Sequence, residues 1–311
     1  MKLEFRVPVS PAPRFYSQVR LLAQSLARLG GMYAAAKIQV SVGEQPDARE
    51  VVAANAWAAT HPVEWYVVPA EVSALAPGPW WASGLGRYAC ASDADVVVLC
   101  DADICPVAHF DELLAQLDTP DPVVAGLQAH STPFPRMDND AIWQMLMQAA
   151  GMADACLPCR YSLDVAGAQG FAPAYFNYGF VAFNASAFRA IAPLVGPMLE
   201  LACERLPENH FAAQIALALA MARTQPLLIQ LGHELNCAND DRLLAHDLVR
   251  VDDVRVIHYL RGAEFDRHDF LCVRDRFVDF SGSEKRNPVS ERLRRHVLGL
   301  ESPFIEWTGA A

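Results

Sequence analysis

The first 125 residues alternate between short apolar segments typical of β-strands and amphipathic segments typical of α-helices. Several of the apolar segments carry Val, Leu or Ile at consecutive positions, which is the pattern of strands buried on two faces. The predicted strands are 3–9, 37–42, 63–68, 96–99 and 122–127, and the predicted helices are 16–29, 48–57, 80–91 and 110–117, with a loop at 77–79. Such alternation favours an α/β fold with a mostly parallel central sheet covered on both faces.

The second part of the chain is less regular. A predicted helix at 140–152 is followed by an irregular segment up to residue 175, and loops of that length usually cover a binding site. An aromatic strand is predicted at 175–184, where Asn184 is suited to cap the helix that begins at Ala185. The remaining predicted elements are helices at 207–223 and 289–298 and strands at 226–230 and 254–259.

Composition bears on the possible partners. The chain has 311 residues and a formal net charge of −11, which disfavours a nucleic-acid partner because such partners require a basic surface. No apolar run reaches the roughly 20 residues that cross a membrane, and the N-terminal segment does not resemble a signal peptide. We therefore expect a cytoplasmic protein without a transmembrane segment. Its basic helix at 289–298 is the candidate for a peripheral membrane contact.

Eight cysteines are scattered along the chain, and only Cys156 and Cys159 form a close pair. A zinc site needs two further ligands at suitable spacing, and the sequence has no second pair. The pair also does not open a helix early in a thioredoxin-like unit, as a redox motif would. We expect structural rather than chemical roles for these cysteines.

Two carboxylates follow the apolar strand predicted at 96–99, namely Asp101 and Asp103. Side chains two residues apart point the same way from an extended backbone, so these like charges repel unless a cation lies between them. Ligands of parallel α/β sheets bind beyond the carboxyl ends of the strands, which is where this pair falls. A hard cation, Mn2+ or Mg2+, shared with substrate phosphates explains the pair. The alternative is a surface turn, where Asp is common.

Five short segments, taken in chain order, carry a resemblance to a known family. They are VLCDADI at 98–104, FNYGF at 176–180, Gln214 near the start of an apolar helix, LGHELN at 231–236 and VIHY at 256–259. Over residues 1–262 the chain resembles the GT-A fold nucleotide-sugar glycosyltransferases, most closely the glycogenin-like, family 8 type.

The resemblance implies a single GT-A domain at 1–262, with a nucleotide-binding half at 1–125, an acceptor half at 126–262 and a C-terminal extension at 263–311. It implies a metal-dependent enzyme that transfers a sugar from a nucleoside-diphosphate sugar, with a UDP-sugar favoured, to a glycan, lipid or small-molecule acceptor. A metal that bridges the two phosphates stabilises the charge on the leaving group.

The resemblance also implies roles for residues of the nucleotide and metal sites. Asp103 and His258 bind the metal directly, and Asp101 is shared between the metal and the ribose. The nucleotide site further includes residues of the first strand, of the strand-end motif and of the helix before it, together with one later arginine: Val7, Pro8, Val9, Ala102, Arg87 and Arg261. Alternatives stay open at two of these positions, since His258 fits a buried strand histidine and Arg87 a solvated helix charge.

On the catalytic side, the resemblance places Gln214 beside the reacting carbon of the sugar. Asn177 is the polar residue of an aromatic strand, and it must bond either to the sugar or to the backbone, because an unpartnered buried amide costs about 1–3 kcal/mol.

The chain departs from the family pattern at two positions. Ala213 stands where an acid is expected beside Gln214, and Tyr178 stands where the acceptor strand has a Ser. An inverting enzyme needs a carboxylate base, so the missing acid favours retention of configuration. The same departures keep open a catalytically silent protein that binds a nucleotide or glycan. A haloacid-dehalogenase-like phosphatase is the other alternative, with Asp101 as nucleophile and Asp252 and Asp253 as metal ligands.

Overall fold

The computed structural model describes residues 1–74, 79–153, 156–206 and 209–306. The strands are β1 (Leu3–Val9), β2 (Lys37–Val42), β3 (Val63–Val67), β4 (Val96–Leu99), β5 (Ile104–Pro106), β6 (Val123–Gln128), β7 (Phe176–Asn184), β8 (Leu227–Gln230), β9 (Cys237–Ala238) and β10 (Val256–His258). The helices are α1 (Pro13–Leu29), α2 (Gly31–Ala34), α3 (Ala48–Ala54), α4 (Ala70–Ser73), α5 (Pro79–Ala89), α6 (Asp111–Leu117), α7 (Asn139–Ala149), α8 (Ala185–Arg205), α9 (Ala212–Thr224), α10 (Asp241–Ala245), α11 (Arg274–Gly282) and α12 (Pro288–Leu298). Three short 3-10 turns lie at Ala56–Thr60, His233–Leu235 and Val251–Asp253.

The central sheet has seven strands in the order β3-β2-β1-β4-β7-β6-β8. The pairs from β3 to β4 are parallel, β7 runs antiparallel to both its neighbours, and β8 is parallel to β6. A second sheet has the order β5-β10-β9. This arrangement confirms the predicted α/β class with a mostly parallel sheet and a C-terminal helical region.

Strand β4 shows why the sheet is buried on both faces. Val97 and Leu99 point into a core layer that contains α8 and α9, whereas Val96 and Val98 point into a layer that contains α1. All four side chains are inaccessible to solvent. Because each fully buried Val or Leu side chain contributes about 1.5–3 kcal/mol, this short strand is anchored from both sides.

Each predicted element is observed, most of them with shifted ends, and the structure adds short elements that the sequence did not indicate, namely α2, α4, α10, α11, β5 and β9. The helix predicted at 48–57 ends at Ala54 and continues as the 3-10 turn Ala56–Thr60. The helix predicted at 207–223 begins at Ala212, and its predicted first residues 207 and 208 lie outside the described residues, as do residues 77 and 78 of the predicted loop. The predicted cap is confirmed, since the Asn184 side chain accepts a hydrogen bond from the Ala187 backbone N–H at 3.0 Å.

The C-terminal region packs against the rest of the fold. Phe270, Phe280 and Leu293 share a core cluster with Leu21 of α1 and Cys105 of β5. The basic helix α12 buries its apolar face in this cluster. All three of its arginines bind protein groups, because Arg292 donates to backbone carbonyls that include Val254, and Arg294 and Arg295 both pair with Glu291. The predicted membrane contact of this helix and the predicted domain boundaries stay predictions.

One helix of the described chain, α8, is long and apolar enough to cross a membrane by length and composition alone. A core helix of a globular protein meets the same criterion. Helix α8 contains Pro193 and Pro197, and it places six side chains in the core layer that it shares with α9. The eight cysteines are all free, and Cys156 is exposed.

Candidate metal and nucleotide site

Asp101, Asp103 and His258 meet at the carboxyl edge of the parallel strands. The ligand atoms that these three residues offer all lie within 4.8 Å of one another. His258 Nε2 is 3.1 Å from Asp103 Oδ1 and 3.8 Å from Asp101 Oδ2. The meeting follows from strand pairing, because β10 is antiparallel to β5 and aligns His258 with Ile104, directly after Asp103. The three residues predicted as metal ligands are therefore brought together.

A chain of side-chain hydrogen bonds orients the His258 ring. His258 Nδ1 lies 2.9 Å from Asn236 Oδ1, and Asn236 Nδ2 donates to Asn177 Oδ1 at 3.0 Å. Asn177 Oδ1 also accepts from the Gly179 backbone N–H at 2.9 Å. An amide oxygen accepts only, so the proton sits on Nδ1, and Nε2 faces the carboxylates. Hydrogen bonds of this kind orient metal-ligating histidines.

Gly179 makes room for this arrangement. A Cβ atom built on Gly179 would overlap the His258 ring and the Asn236 side-chain oxygen. Strand β7 therefore approaches the histidine more closely than any other residue type allows. The sequence contained the signal, since Gly179 and Asn236 both stand in the resembled motifs, but it did not show that the two residues meet at His258.

Mutual electrostatics perturb all three groups of the cluster. Burial raises the pKa of Asp101 above its ordinary value, although the nearby Arg87 and His258 charges act against this shift. Burial acts in the same direction on Asp103, but the charge and hydrogen bond of His258 hold its pKa below the ordinary value. Burial disfavours charged His258, but the Asp103 and Asp101 carboxylates raise its pKa above the ordinary value. Perturbed groups of this kind cluster at functional sites.

The donor set fits a divalent metal. Two carboxylates and one imidazole on one side of a cation match the ligand preferences of Mn2+, and of Mg2+ somewhat less. Asp101 is partly open, with 36% of its side chain exposed, while His258 is buried. A ligand from solution can therefore reach the cluster from the Asp101 side. The alternative of a histidine satisfied by a backbone carbonyl is wrong, because both ring nitrogens of His258 face side chains.

Arg267 is a site residue that the sequence did not indicate. Its Nη1 atom lies 2.9 Å from Asp103 Oδ2, on the carboxylate oxygen that does not face His258. The residue belongs to the region 263–311, outside the resemblance. It follows no motif, and its partner is 164 positions away in the sequence. A contact of this range leaves no periodic or local signal.

Arg87 is buried beside the carboxylates rather than exposed on a helix. Only 3% of the residue is accessible, and its Nη1 atom lies 3.9 Å from Asp101 Oδ1. Its backbone is fixed as well, since the buried Arg6 side chain donates to the carbonyl oxygens of Arg87 and Cys90, at 2.7 Å each. The solvated-charge alternative is therefore wrong. Within the described part of the chain, Arg87 Nε has no hydrogen-bond partner.

The other predicted nucleotide-site residues fall into two groups. Val7, Pro8 and Val9 end β1, and they follow Arg6, which is the last residue of β1 paired with β4, opposite Leu99. Ala102, which stands between Asp101 and Asp103 in the sequence, is buried. Arg261, in contrast, is engaged elsewhere, because its Nε and Nη2 atoms lie 2.9 and 2.8 Å from Asp240 Oδ2. A role of Arg261 on a diphosphate stays a prediction.

The two predicted catalytic residues differ in their contacts. The Asn177 oxygen is bonded within the protein, to the Gly179 backbone N–H and the Asn236 side chain, and a role of Asn177 at the sugar stays a prediction. Gln214 is half-buried in the first turn of α9. Among the described residues, none forms a hydrogen bond with the Gln214 side chain, which leaves its amide available to a ligand.

Two further histidines were missed by the sequence reasoning. The His130 and His233 rings lie 5.8 Å apart, between their centroids. Burial, with the added effect of the neighbouring His233 charge, lowers the pKa of His130 to about 3. The charges of His258 and Arg261 act on the pKa of His130 in the same direction. His130 lies in the irregular segment after β6, where no pattern marked it.

The phosphatase alternative loses its predicted metal ligands. Asp252 and Asp253 lie in the turn Val251–Asp253, and the described residues that cluster with Asp101 and Asp103 include neither of them. Asp253 is largely exposed and lies 3.8 Å from Arg250. The carboxylate motif also ends the fourth strand in sequence rather than the first.

Known structures share this architecture. Mouse xyloside xylosyltransferase 1, in its apo form, matches with a TM-score of 0.51 and 15% sequence identity, over 85% of this chain and 99% of that chain. The galactosyltransferase LgtC, in complex with donor and acceptor sugar analogues, matches with a TM-score of 0.54 and 17% identity, over 96% of each chain. The bifunctional glycosyltransferase WbbM matches with a TM-score of 0.56 and 16% identity, over 94% of this chain and 51% of that chain. No family model and no curated protein matches the sequence.

These likenesses define the class of the fold. The chain has the GT-A fold, as predicted from its sequence, with the mostly parallel sheet and the strand-end carboxylates in their expected places. At sequence identities of 15–17%, these structures show that the chain shares their fold, and they show no more than that. The chemistry of this chain is inferred from its own site.

Proposed function

We propose that this protein is a metal-dependent glycosyltransferase that moves a sugar from a nucleoside-diphosphate sugar, with a UDP-sugar favoured, to a glycan, lipid or small-molecule acceptor. The observation that carries the proposal is the cluster of Asp101, Asp103 and His258 at the carboxyl edge of the sheet. Solved glycosyltransferases of the same fold support it. We keep Mn2+ as the favoured ion and a cytoplasmic location as a prediction.

The residues of the cluster have separate tasks in this proposal. Asp103 and His258 would hold the metal directly, and Asp101 would share it with the ribose of the donor. When bound, the metal supplies Lewis-acid stabilisation of the charge that develops on the leaving diphosphate. Arg87 adds a second positive group 3.9 Å from Asp101, and a guanidinium suits the binding of phosphate oxygens.

Retention of configuration is the stereochemical outcome we propose. The residue before Gln214 is Ala213, so α9 offers no carboxylate at the position where an inverting enzyme would need its base. Gln214 has an available amide in the same turn. We place it beside the reacting carbon, where it would orient the sugar rather than remove a proton.

A thermal-shift and hydrolysis experiment tests the proposal. Melting curves are recorded with UDP, GDP, ADP and CDP, each with and without Mn2+, and UDP-glucose, UDP-galactose and UDP-xylose are then assayed for Mn2+-dependent hydrolysis. We expect stabilisation by UDP that requires Mn2+, and slow hydrolysis of at least one UDP-sugar. Stabilisation without hydrolysis would favour the silent binding protein. The absence of Mn2+-dependent stabilisation by any nucleotide would overturn the proposal.

A further inference from the structure

The two positions at which the chain departs from the resembled motifs are in direct contact. Tyr178 lies on β7 and Ala213 in the first turn of α9. The Tyr178 hydroxyl donates a hydrogen bond to the Ala213 carbonyl oxygen at 2.6 Å. One contact therefore joins the strand that carries Asn177 and Gly179 to the turn that carries Gln214.

The hydroxyl group of Tyr178 takes part in a second hydrogen bond. It lies 3.1 Å from the Tyr88 hydroxyl. A phenol has one proton, and Tyr178 gives that proton to the Ala213 carbonyl, so Tyr88 is the donor in the second bond. Burial raises the pKa of both tyrosines, which keeps both hydroxyls protonated at neutral pH. The result is a directed chain of hydrogen bonds from α5 through β7 to α9.

The ring of Tyr178 supports Arg87. The Arg87 guanidinium carbon lies 4.4 Å from the centroid of the Tyr178 ring, a cation–π geometry. The guanidinium also lies 3.4 Å from the Cys100 carbonyl oxygen and 3.9 Å from Asp101. Both Arg87 and Tyr178 are buried, so the aromatic face is one of the supports that hold the guanidinium beside the carboxylates.

We propose that Tyr178 is a positioning residue of the transfer site, which fixes the Arg87 guanidinium with its ring and the Gln214 turn of α9 with its hydroxyl. This inference rests on the proposed function. The two contacts use different atoms of one side chain, so substitutions can separate them.

The two substitutions predict different kinetic signatures. Tyr178→Phe keeps the ring and loses the hydrogen bonds of the hydroxyl with Ala213 and Tyr88, so we expect kcat for Mn2+-dependent UDP-sugar hydrolysis to fall about 5- to 10-fold, with KM unchanged. Tyr178→Leu also removes the face under Arg87, so the Kd of UDP in the presence of Mn2+ should rise about tenfold. That loss should be absent in an Arg87→Gln background, because the two residues act on the same phosphate contact.

Tyr33→Phe is the matched control. The buried Tyr33 hydroxyl donates to Asp111 at 2.7 Å and accepts from the Phe110 backbone N–H at 2.8 Å, outside the transfer site. We expect this variant to lose stability while kcat, KM and the Kd of UDP stay at wild-type values. A Tyr178→Phe variant with wild-type kcat, or a Tyr178→Leu variant with wild-type UDP affinity, would overturn the inference. Wild-type protein that binds no UDP with Mn2+ would overturn the proposed function instead.

Discussion

Two groups of histidines near the site show how neighbours decide what one residue type can do. His258 faces two carboxylates and an amide oxygen, and the carboxylates raise its pKa although burial acts against this shift. His130 faces His233, and burial with that neighbour lowers its pKa to about 3. The His258 ring can bind a proton or a metal ion beside the carboxylates, whereas the His130 ring stays neutral. The difference teaches that the carboxylates, not burial, make the metal site.

Removing a carboxylate is the strongest test of that comparison. Asp103→Ala deletes a metal ligand and leaves both His258 and Arg267 without their closest anionic partner. We expect the Mn2+-dependent stabilisation by UDP to disappear and UDP-sugar hydrolysis to fall at least about 100-fold. Melting curves and initial hydrolysis rates measure both effects.

Asp253→Ala is the matched control for that prediction. Asp253 is exposed and belongs to the pair that the phosphatase alternative would need. We expect wild-type nucleotide binding and hydrolysis from this variant. A loss in Asp253→Ala that equals the loss in Asp103→Ala would contradict the assignment of the metal site.

Crowding the His258 ring gives an intermediate effect. Gly179→Ala adds a methyl group that overlaps the ring and the Asn236 oxygen, so the His258 ring must shift from its position between Asn236 and Asp103. We expect the affinity for Mn2+ in the presence of UDP to fall about 10- to 100-fold, which is typical when the support of a metal ligand is disturbed. Isothermal titration with MnCl2 measures the change.

Gly196→Ala in α8 serves as the control, since a Cβ atom there meets no atom within 4 Å. An alanine in a helix interior is about 0.5–1 kcal/mol more favourable than glycine, so this variant should be as stable as the wild type or more stable. Unchanged Mn2+ affinity in Gly179→Ala would show that the ring has more freedom than the contacts indicate.

The smallest expected effect concerns His130, and it is a pH dependence of the stability. The pKa of His130 is lower in the folded than in the unfolded protein, so the unfolded state binds more protons below about pH 6.5. Stability should therefore fall as the pH drops through this range. Between pH 6.5 and 5, the free energy of unfolding of His130→Asn should fall by about 1–2 kcal/mol less than that of the wild type. Urea unfolding at the two pH values measures this difference. Equal losses in both proteins would contradict the neutral assignment.

The fold was largely predictable because its signals are local. The apolar run of β4 and the alternation before it fix the sheet, and the carboxyl edge of that sheet fixes where Asp101 and Asp103 lie. His258 was predictable only through its place in a motif. The element ends were less accurate, because the turn at Ala56–Thr60 continues a helical pattern after the helix has ended.

The rest of the site depends on contacts that no local pattern encodes. Arg267 reaches Asp103 from a region without any motif. The sequence marked Tyr178 and Ala213 as separate departures, and only the structure shows that they touch. No sequence pattern marked His130, which lies in an irregular segment. Its neutral state is imposed by burial and by residues distant in sequence, and neither leaves a local signal.

The central claim is that Asp101, Asp103 and His258 hold a divalent cation together with a nucleoside diphosphate. Diffraction at the manganese absorption edge, from crystals grown with MnCl2 and UDP, tests it directly. We predict one anomalous peak within about 2.5 Å of an Asp103 carboxylate oxygen and of His258 Nε2, in contact with the diphosphate. A peak at other residues, or UDP bound at this edge of the sheet without manganese, would contradict the account.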